Sequence, residues 1–387
     1  MCIDKKESNK RIKVLALIWS MERGGAQQIL INNLRYFKND DTIDFKVIVF
    51  KKATNSKFDK AIRNEKLNVI YLNNPRSKLN IPIIRYPFNI FVAIRAWKKI
   101  FQKEKPDVVH VHISELLKYT LPAIIQCRIP VRFDTLHSNP YRYKNFNLHI
   151  IKKAFQKNNF IAICLNEEQV LQAKEHYGIK EYEIIHNGIP IKEIKSKIMD
   201  KDDAKDFLGI DKATDLYIGV GRLDPIKNYS FMINVYKELY NRNPNSKLII
   251  IGDGPLYEEL LNEIKGFEKN IVLQGEVDNV IPFYCAAKKL LITSYSESTS
   301  LALLEAQICG TKSVVSEGVP KESVITNNVQ QLSLNESVEK WAEVIEGNSN
   351  KVKPYFNEND YDLYIQSEAL KTVYQKYYFR NKREKIK

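Results

Sequence analysis

The chain has 387 residues, 44% apolar and 27% charged, which is too long for one ordinary domain and too apolar for a disordered or fibrous protein. No stretch reaches the ~18–20 uninterrupted apolar residues of a spanning helix, and five scattered cysteines without C-x-x-C spacing argue against a disulfide framework or zinc site and fit a reducing cytosol. The net charge of +14 comes with no helix-turn-helix, zinc-finger or aromatic RNA-binding signature, so nucleic acid ranks last among its explanations.

The first apolar run, Val14 to Trp19, is followed at once by Ser20, Glu22 and Arg23, and reads as a buried strand instead of a signal peptide. Short β-branched runs of this kind recur at Lys13–Ser20, Phe45–Phe50, Val69–Leu72, Val108–Ile113, Val131–Leu136, Phe160–Leu165 and Glu183–His186. Helical-period segments alternate with them at Ala26–Tyr36, Ile90–Gln102, Ser114–Gln126 and Glu167–His176. Continuous apolar strands spaced by helices imply parallel sheets covered on both faces. After His186-Asn187-Gly188-Ile189-Pro190 the chain turns polar and lysine-rich. The alternation then restarts with Leu216–Val220, Lys247–Ile251, Ile271–Gln274, Leu290–Thr293 and Lys312–Val315. Two doubly wound domains joined near residue 190 follow, with one long terminal helix over Tyr361–Tyr378.

Open α/β sheets bind ligands beyond the carboxyl ends of their strands, so the polar residues just after strands carry the functional reading. Gly24-Gly25-Ala26 opens a helix where backbone can approach an anion closely, although it lacks the G-x-G-x-x-G pattern of dinucleotide enzymes. Arg222 and Lys227, within Gly221-Arg222-Leu223-Asp224-Pro225-Ile226-Lys227-Asn228, set two cations at one strand mouth, which suits a departing diphosphate or, singly, ordinary surface charge. Gly252-Asp253-Gly254-Pro255 is a tight turn or a nucleotide wall. In Ser294-Tyr295-Ser296-Glu297-Ser298-Thr299-Ser300-Leu301, a strand gives way to a helix with Ser298 or Thr299 as its cap and Gly310 as its stop. Glu297 precedes that helix and Glu305 lies within it among Leu303, Leu304 and Ala306, where a carboxylate needs donors: ribose hydroxyls, backbone or a lysine.

His137, just past a strand, could contact a sugar or pack structurally. His110 and His112 mimic a metal pair but have no evident carboxylate or cysteine partner, so packing is preferred. Asp200-Lys201-Asp202 and Asp360-Tyr361-Asp362 resemble an Asp-x-Asp metal motif, but neither follows a strand, and both read as chance.

Together these motifs resemble the retaining glycosyltransferase family 4 with the GT-B fold, and bacterial capsular and exopolysaccharide members in particular. The match rests on Gly24-Gly25-Ala26, Gly221-Arg222-Leu223 with Lys227-Asn228, Gly252-Asp253-Gly254-Pro255, and Glu297 with Glu305 in an E-x₇-E arrangement. The resemblance implies two Rossmann-like domains facing a central cleft. Residues 1–190 would be the acceptor side, with a helix over about 361–380 packed back on it, and residues 191–360 the nucleotide-sugar side. It also implies roles. Arg222 and Lys227 would hold the diphosphate, Glu305 the ribose, and Glu297 with Ser298, Thr299, Ser300 and Leu301 the sugar end. Gly252 and Gly254 would wall the nucleotide. Gly24 and Gly25 would approach the phosphate, and His137 the transferred sugar. No metal or other cofactor is expected. Ser298-Thr299-Ser300 stands where many members carry Gly-Phe or Gly-Tyr.

The function so implied is transfer of a hexose or N-acetylhexosamine, with retention, from a nucleotide sugar, UDP-linked, to a lipid-linked or glycan acceptor. A non-catalytic nucleotide-sugar-binding module is the alternative. Lys and Arg outnumber Asp and Glu 36 to 19 through residue 200 but are outnumbered 24 to 27 thereafter, and residues 51–100 hold 12 basic and 2 acidic side chains. Such a basic half, including Arg85, Arg95, Lys98 and Lys99, suits a cytoplasmic protein lying peripherally on an anionic membrane face.

Overall fold

The computed structural model describes residues 11–22, 24–73, 82–347 and 357–386. These divide into two compact units: residues up to His186 with Tyr364 onward, and Asn187–Leu363.

The first unit is built on a parallel sheet of β1 (Ile12–Ile18), β2 (Ile43–Val49), β3 (Val69–Tyr71), β4 (Val108–His112), β5 (Val131–Thr135), β6 (Ile161–Cys164) and β7 (Tyr182–Ile184), in the order β3-β2-β1-β4-β5-β6-β7. Alternation along β1 explains why its residues from Val14 to Ile18 are all apolar. Val14, Ala16 and Ile18 face one core, while Leu15 and Leu17 face another containing Trp97, Phe101 and Phe155. Strands buried on both faces are mostly runs of β-branched and aliphatic residues. The helix Glu167–Tyr177 shows how the ends are set: Asn166 accepts from Gln169 N, and Gly178 closes it in the left-handed region.

The terminal helix, Leu363–Ile386, belongs to this unit from Tyr364 on. Leu370, Val373, Tyr374, Tyr377 and Tyr378 are buried in the core that holds Val14 and Phe133. Each such side chain contributes about 1.5–3 kcal/mol by leaving water. The helix starts two residues later than the sequence suggests, because Tyr361 lies in a 3₁₀ turn, Glu358–Tyr361, and Asp362 is extended.

The second unit repeats the plan with β8 (Asp215–Val220), β9 (Ser246–Ile251), β10 (Ile271–Gly275), β11 (Lys289–Ile292), β12 (Ser313–Ser316) and β13 (Val329–Leu332), all parallel, in the order β10-β9-β8-β11-β12-β13. In both sheets the order reverses beside the first strand, between β1 and β4 and between β8 and β11. Connections leave to opposite faces at such a reversal, and loops at the carboxyl edge part to leave a crevice. The two sheets and the helices covering them make this a GT-B fold.

Candidate active site

In the second unit, the loops after β8, β9 and β10 are laced together at the carboxyl edge. Gly221 N donates to Ile251 O at 3.0 Å, Leu223 N to Asp253 O at 3.1 Å, and Gly252 N to Gly275 O at 2.8 Å. The approach is close enough to dictate glycine. Gly252 has φ 140°, and a Cβ there would lie 1.9 Å from Gly221 O, while one on Gly254 would lie 2.3 Å from Leu223 O. The Asp224 side chain accepts from Ile226 N and turns the chain through the 3₁₀ segment Pro225–Lys227 into the helix Tyr229–Arg242.

The β8 and β11 loops are then stitched to each other, because their strands adjoin at the reversal. Tyr295 N donates to Ile226 O at 2.8 Å, and the buried Thr293 hydroxyl reaches Lys227 O and Asn228 O at 3.1 and 2.9 Å. This brings Lys227 Nζ to 2.5 Å from Glu297 Oε1. Ser294 Oγ donates to the same oxygen at 2.7 Å, and Glu297 N donates to Gly318 O at 2.8 Å. Gly318 has no room for a side chain, since a Cβ would stand 2.4 Å from Ser294 O. The Glu297 side chain is 9% exposed and that of Lys227 25%, so the pair is shielded but reachable. Tyr229 lies buried close by, and its hydroxyl is pushed well up by burial and then by Glu297.

The following helix is Leu301–Ile308. Its N-cap residue is Ser300, not Ser298 or Thr299, and no side chain caps it; the Ser300 amide instead donates to Ser323 Oγ at 3.3 Å. Gly310, at φ 77°, ends it as expected. Glu305, partly exposed, accepts from Tyr284 Oη at 3.1 Å. Burial and then Glu305 push the Tyr284 hydroxyl well up, so it stays protonated and a donor. Ser298, Thr299 and Leu301 are partly exposed around the helix start. The Arg222 side chain is 56% exposed, with its Nε 4.0 Å from Asp224 Oδ2. A cation, two carboxylates and a helix N-terminus at one sheet edge suit a phosphate-bearing, hydroxyl-rich ligand.

In the first unit, Gly24 caps the helix Gly25–Tyr36 with φ 153°, and both glycines are exposed; Arg23 lies outside the described residues. His137 follows β5, and its Nε2 is 2.9 Å from His112 Nδ1. His110 is buried between Tyr374 Oη and Thr135 Oγ1, each at 2.6 Å. Burial pushes His137 down to about 4 and His110 to about 3, and His112 well below its usual range, so all three are neutral near pH 7. The packing reading suits His110. His112 does more than pack, since it holds His137. No three His, Cys, Asp or Glu side chains among the described residues are grouped to hold a metal ion. Asp200 instead caps the helix Lys201–Leu208, and Asp360 closes a capping box with Asn357.

Two family models match this chain: "Glycosyltransferase Family 4" over residues 23–193 and "Glycosyl transferases group 1" over residues 200–350. Their junction falls in the segment where the second unit begins. The chain belongs to glycosyltransferase family 4. Among relatives of this family 4 chain, the Escherichia coli UDP-Gal:alpha-D-GlcNAc-diphosphoundecaprenol alpha-1,3-galactosyltransferase is 27% identical over 56% of this chain and 59% of its own. The chain thus spans about three fifths of that relative. The Staphylococcus aureus capsular polysaccharide biosynthesis glycosyltransferase CapH is 23% identical over 94% of this chain and 98% of its own. The crystal structure of Anabaena Alr3699/HepE in complex with UDP and glucose superposes with a TM-score of 0.74 at 17% identity, covering 94% of this chain and all of that one, and so shares its fold.

Three side chains around this candidate site have no role in it in the sequence reading, where His112 is assigned to packing and Ser294 only adjoins the motif. Ser294, Tyr284 and His112 each hold one of the expected residues, Glu297, Glu305 and His137. Ser294 adjoins the motif and was open to notice. The other two come from neighbouring elements that only the folded sheets bring near.

Proposed function

We propose that this chain transfers a hexose or N-acetylhexosamine from a UDP-sugar to a lipid-linked or glycan acceptor, with retention at the anomeric carbon, in surface-polysaccharide biosynthesis. The observation that carries the proposal is the shielded Lys227–Glu297 pair at the β8/β11 reversal. An ammonium already oriented by a carboxylate can meet the donor diphosphate without first being ordered, and its charge offsets the charge that grows as the diphosphate leaves. Arg222, long and exposed, supplies the second cation. Tyr284 occupies one side of Glu305 and orients it, so the carboxylate can accept from both ribose hydroxyls. Glu297 and the Ser298–Leu301 segment meet the transferred sugar, Gly252 and Gly254 wall the nucleotide, and the Gly24 and Gly25 amides approach the phosphate. His137 hydrogen-bonds the sugar.

In this mechanism the acceptor hydroxyl attacks from the face the diphosphate leaves, and Arg222 and Lys227 take the part a metal plays in other transferases. The names of relatives support the substrate classes. The E. coli protein is named for a UDP-sugar and a diphosphoundecaprenol-linked saccharide, CapH for capsular polysaccharide, and the Anabaena structure holds UDP and glucose. No helix of the described residues is long and apolar enough to cross a membrane. We place the protein in the cytoplasm, peripheral to the inner membrane face, with Arg95, Lys98 and Lys99 of the helix Pro82–Glu104 toward anionic lipid; the Arg85 side chain lies outside the described residues.

The test is turnover over a panel of UDP-, GDP- and ADP-sugars with undecaprenyl-diphosphate-linked saccharides as acceptors, the anomeric product read by NMR. A UDP-sugar giving an α-linked product from an α-linked donor, undiminished by EDTA, is the expected result. An inverted product, or activity that EDTA abolishes and magnesium restores, would overturn the mechanism. Tight UDP binding without turnover on any acceptor would favour the non-catalytic module.

A further inference from the structure

His112 ends β4, is 1% exposed, and sets its Nδ1 2.9 Å from His137 Nε2. Its other nitrogen, Nε2, is buried and has no hydrogen-bond partner among the described residues. Burial keeps both rings neutral, so each carries one proton, and two arrangements satisfy the contact. In the first, His137 Nε2–H donates to His112 Nδ1. The single proton of His112 must then sit on Nε2, a buried N–H with nothing to receive it. In the second, His112 Nδ1–H donates to His137 Nε2, and the atom left over is a bare acceptor nitrogen. Orphaned buried N–H groups are the rarer of the two in folded proteins, so the second arrangement prevails. The His112 ring is also held from turning. Its strand neighbour His110 lies 4.1 Å away between ring centroids and is itself pinned by Thr135 and Tyr374.

We propose that His112 is a positioning residue that fixes the ring of His137 and forces the single proton of His137 onto Nδ1, so that His137 meets the sugar as a hydrogen-bond donor. This rests on the assignment of His137 to the transferred sugar. Which nitrogen of a histidine carries the proton is set by the bond its other nitrogen makes, and here that bond comes from a side chain outside the expected site. A donor at this point selects a sugar oxygen that accepts and leaves the acceptor's proton to another group.

The experiment uses the full chain labelled with ¹⁵N-histidine. With six histidines in the sequence, long-range proton–nitrogen correlation resolves each ring, assigned by single substitutions. His112 and His137 are both expected as Nδ1–H tautomers in the unliganded protein. A proton on Nε2 of His137 would overturn the proposal regardless of any activity. Turnover of UDP-glucose, UDP-galactose and UDP-N-acetylglucosamine supplies the second readout. His112→Leu should lower kcat on the order of tenfold with the donor KM within about twofold, and His112→Asn, whose amide can donate from nearly the Nδ1 position, should restore most of it. Equal loss in both variants, or a loss in KM alone, would reduce His112 to a packing role and overturn the proposal. If the tautomers are as expected but His137→Ala turns over like wild type, the sugar assignment of His137 fails, and the positioning role falls with it while the tautomer result stands.

Discussion

Replacing Asp134 with asparagine removes a titration from the middle of the first sheet. The carboxyl is fully buried in β5, and neither oxygen has a well-formed hydrogen bond among the described residues. Burial pushes it up to about 8 from an ordinary 3.8, with only the nearby Ser114 hydroxyl opposing. The unfolded chain therefore releases this proton near pH 4 and the folded protein near pH 8. Between those values the folded state binds one proton more than the unfolded state, so stability falls as pH rises, by about 1.4 kcal/mol per unit. Above the folded value the loss is complete. From pH 5 to pH 8 this one residue costs the wild type about 3–4 kcal/mol. Asp134→Asn has nearly the same shape and no proton to lose, so it lacks this slope. At roughly 2–4 °C per kcal/mol for a unit of this size, the Tm of the variant should gain about 10 °C on wild type across that range. Trp19 and Trp97 lie in the first unit and Trp341 in the second, so thermal unfolding followed by fluorescence in a Trp341→Phe background isolates the relevant transition. Parallel Tm profiles for the two proteins between pH 5 and 8 would refute the reasoning.

Further outcomes test the site. Lys227→Ala and Glu305→Gln should each cut turnover by about 10²–10³ through lost stabilisation of leaving group and donor, and wild-type rates in either variant would remove that residue from the mechanism. Tyr284→Phe takes one donor from Glu305 and should weaken UDP binding by about tenfold in calorimetry, the worth of a hydrogen bond to a charged group; unchanged affinity would mean that the phenol does not orient the carboxylate. Vesicles rich in anionic lipid should bind the protein in a salt-sensitive way, whereas equal binding to neutral vesicles would discard the electrostatic account.

Much of this fold is legible from apolar runs alone, because a strand covered on both faces is mostly apolar, with polar exceptions such as His110, His112 and Asp134. β13 is not, because Val329-Gln330-Gln331-Leu332 is half polar: it is an edge strand, and Gln331 spends its amide on Ser316 O and Val319 O. The helix Tyr229–Arg242, by contrast, carries a regular stripe in Tyr229, Met232, Ile233, Tyr236 and Leu239 that the sequence displays openly. At the site, the order of motifs singles out Lys227 and Glu297, which are 70 residues apart. Their meeting depends on β8 lying beside β11, a property of sheet order and not of local sequence. The His112–His137 contact likewise follows from β4 and β5 pairing His112 with Thr135. Residue types therefore announce chemistry near a strand end, while the partners that tune it come from whichever strand the topology places alongside.

The terminal helix also bears on how the protein is made. Val373, Tyr374 and Tyr377 complete the core around β1 and β5, yet they leave the ribosome only after the whole second unit. At about 5–20 residues per second, the N-terminal sheet waits roughly 10–40 s after its own last strand emerges before that core can close. Through this interval the apolar faces of β1, β4 and β5 lack their lid while the second unit is being made, and that unit emerges whole just before the helix does. A chain truncated after Asp362 and released from the ribosome should accordingly display a folded second unit and a chaperone-seeking first unit.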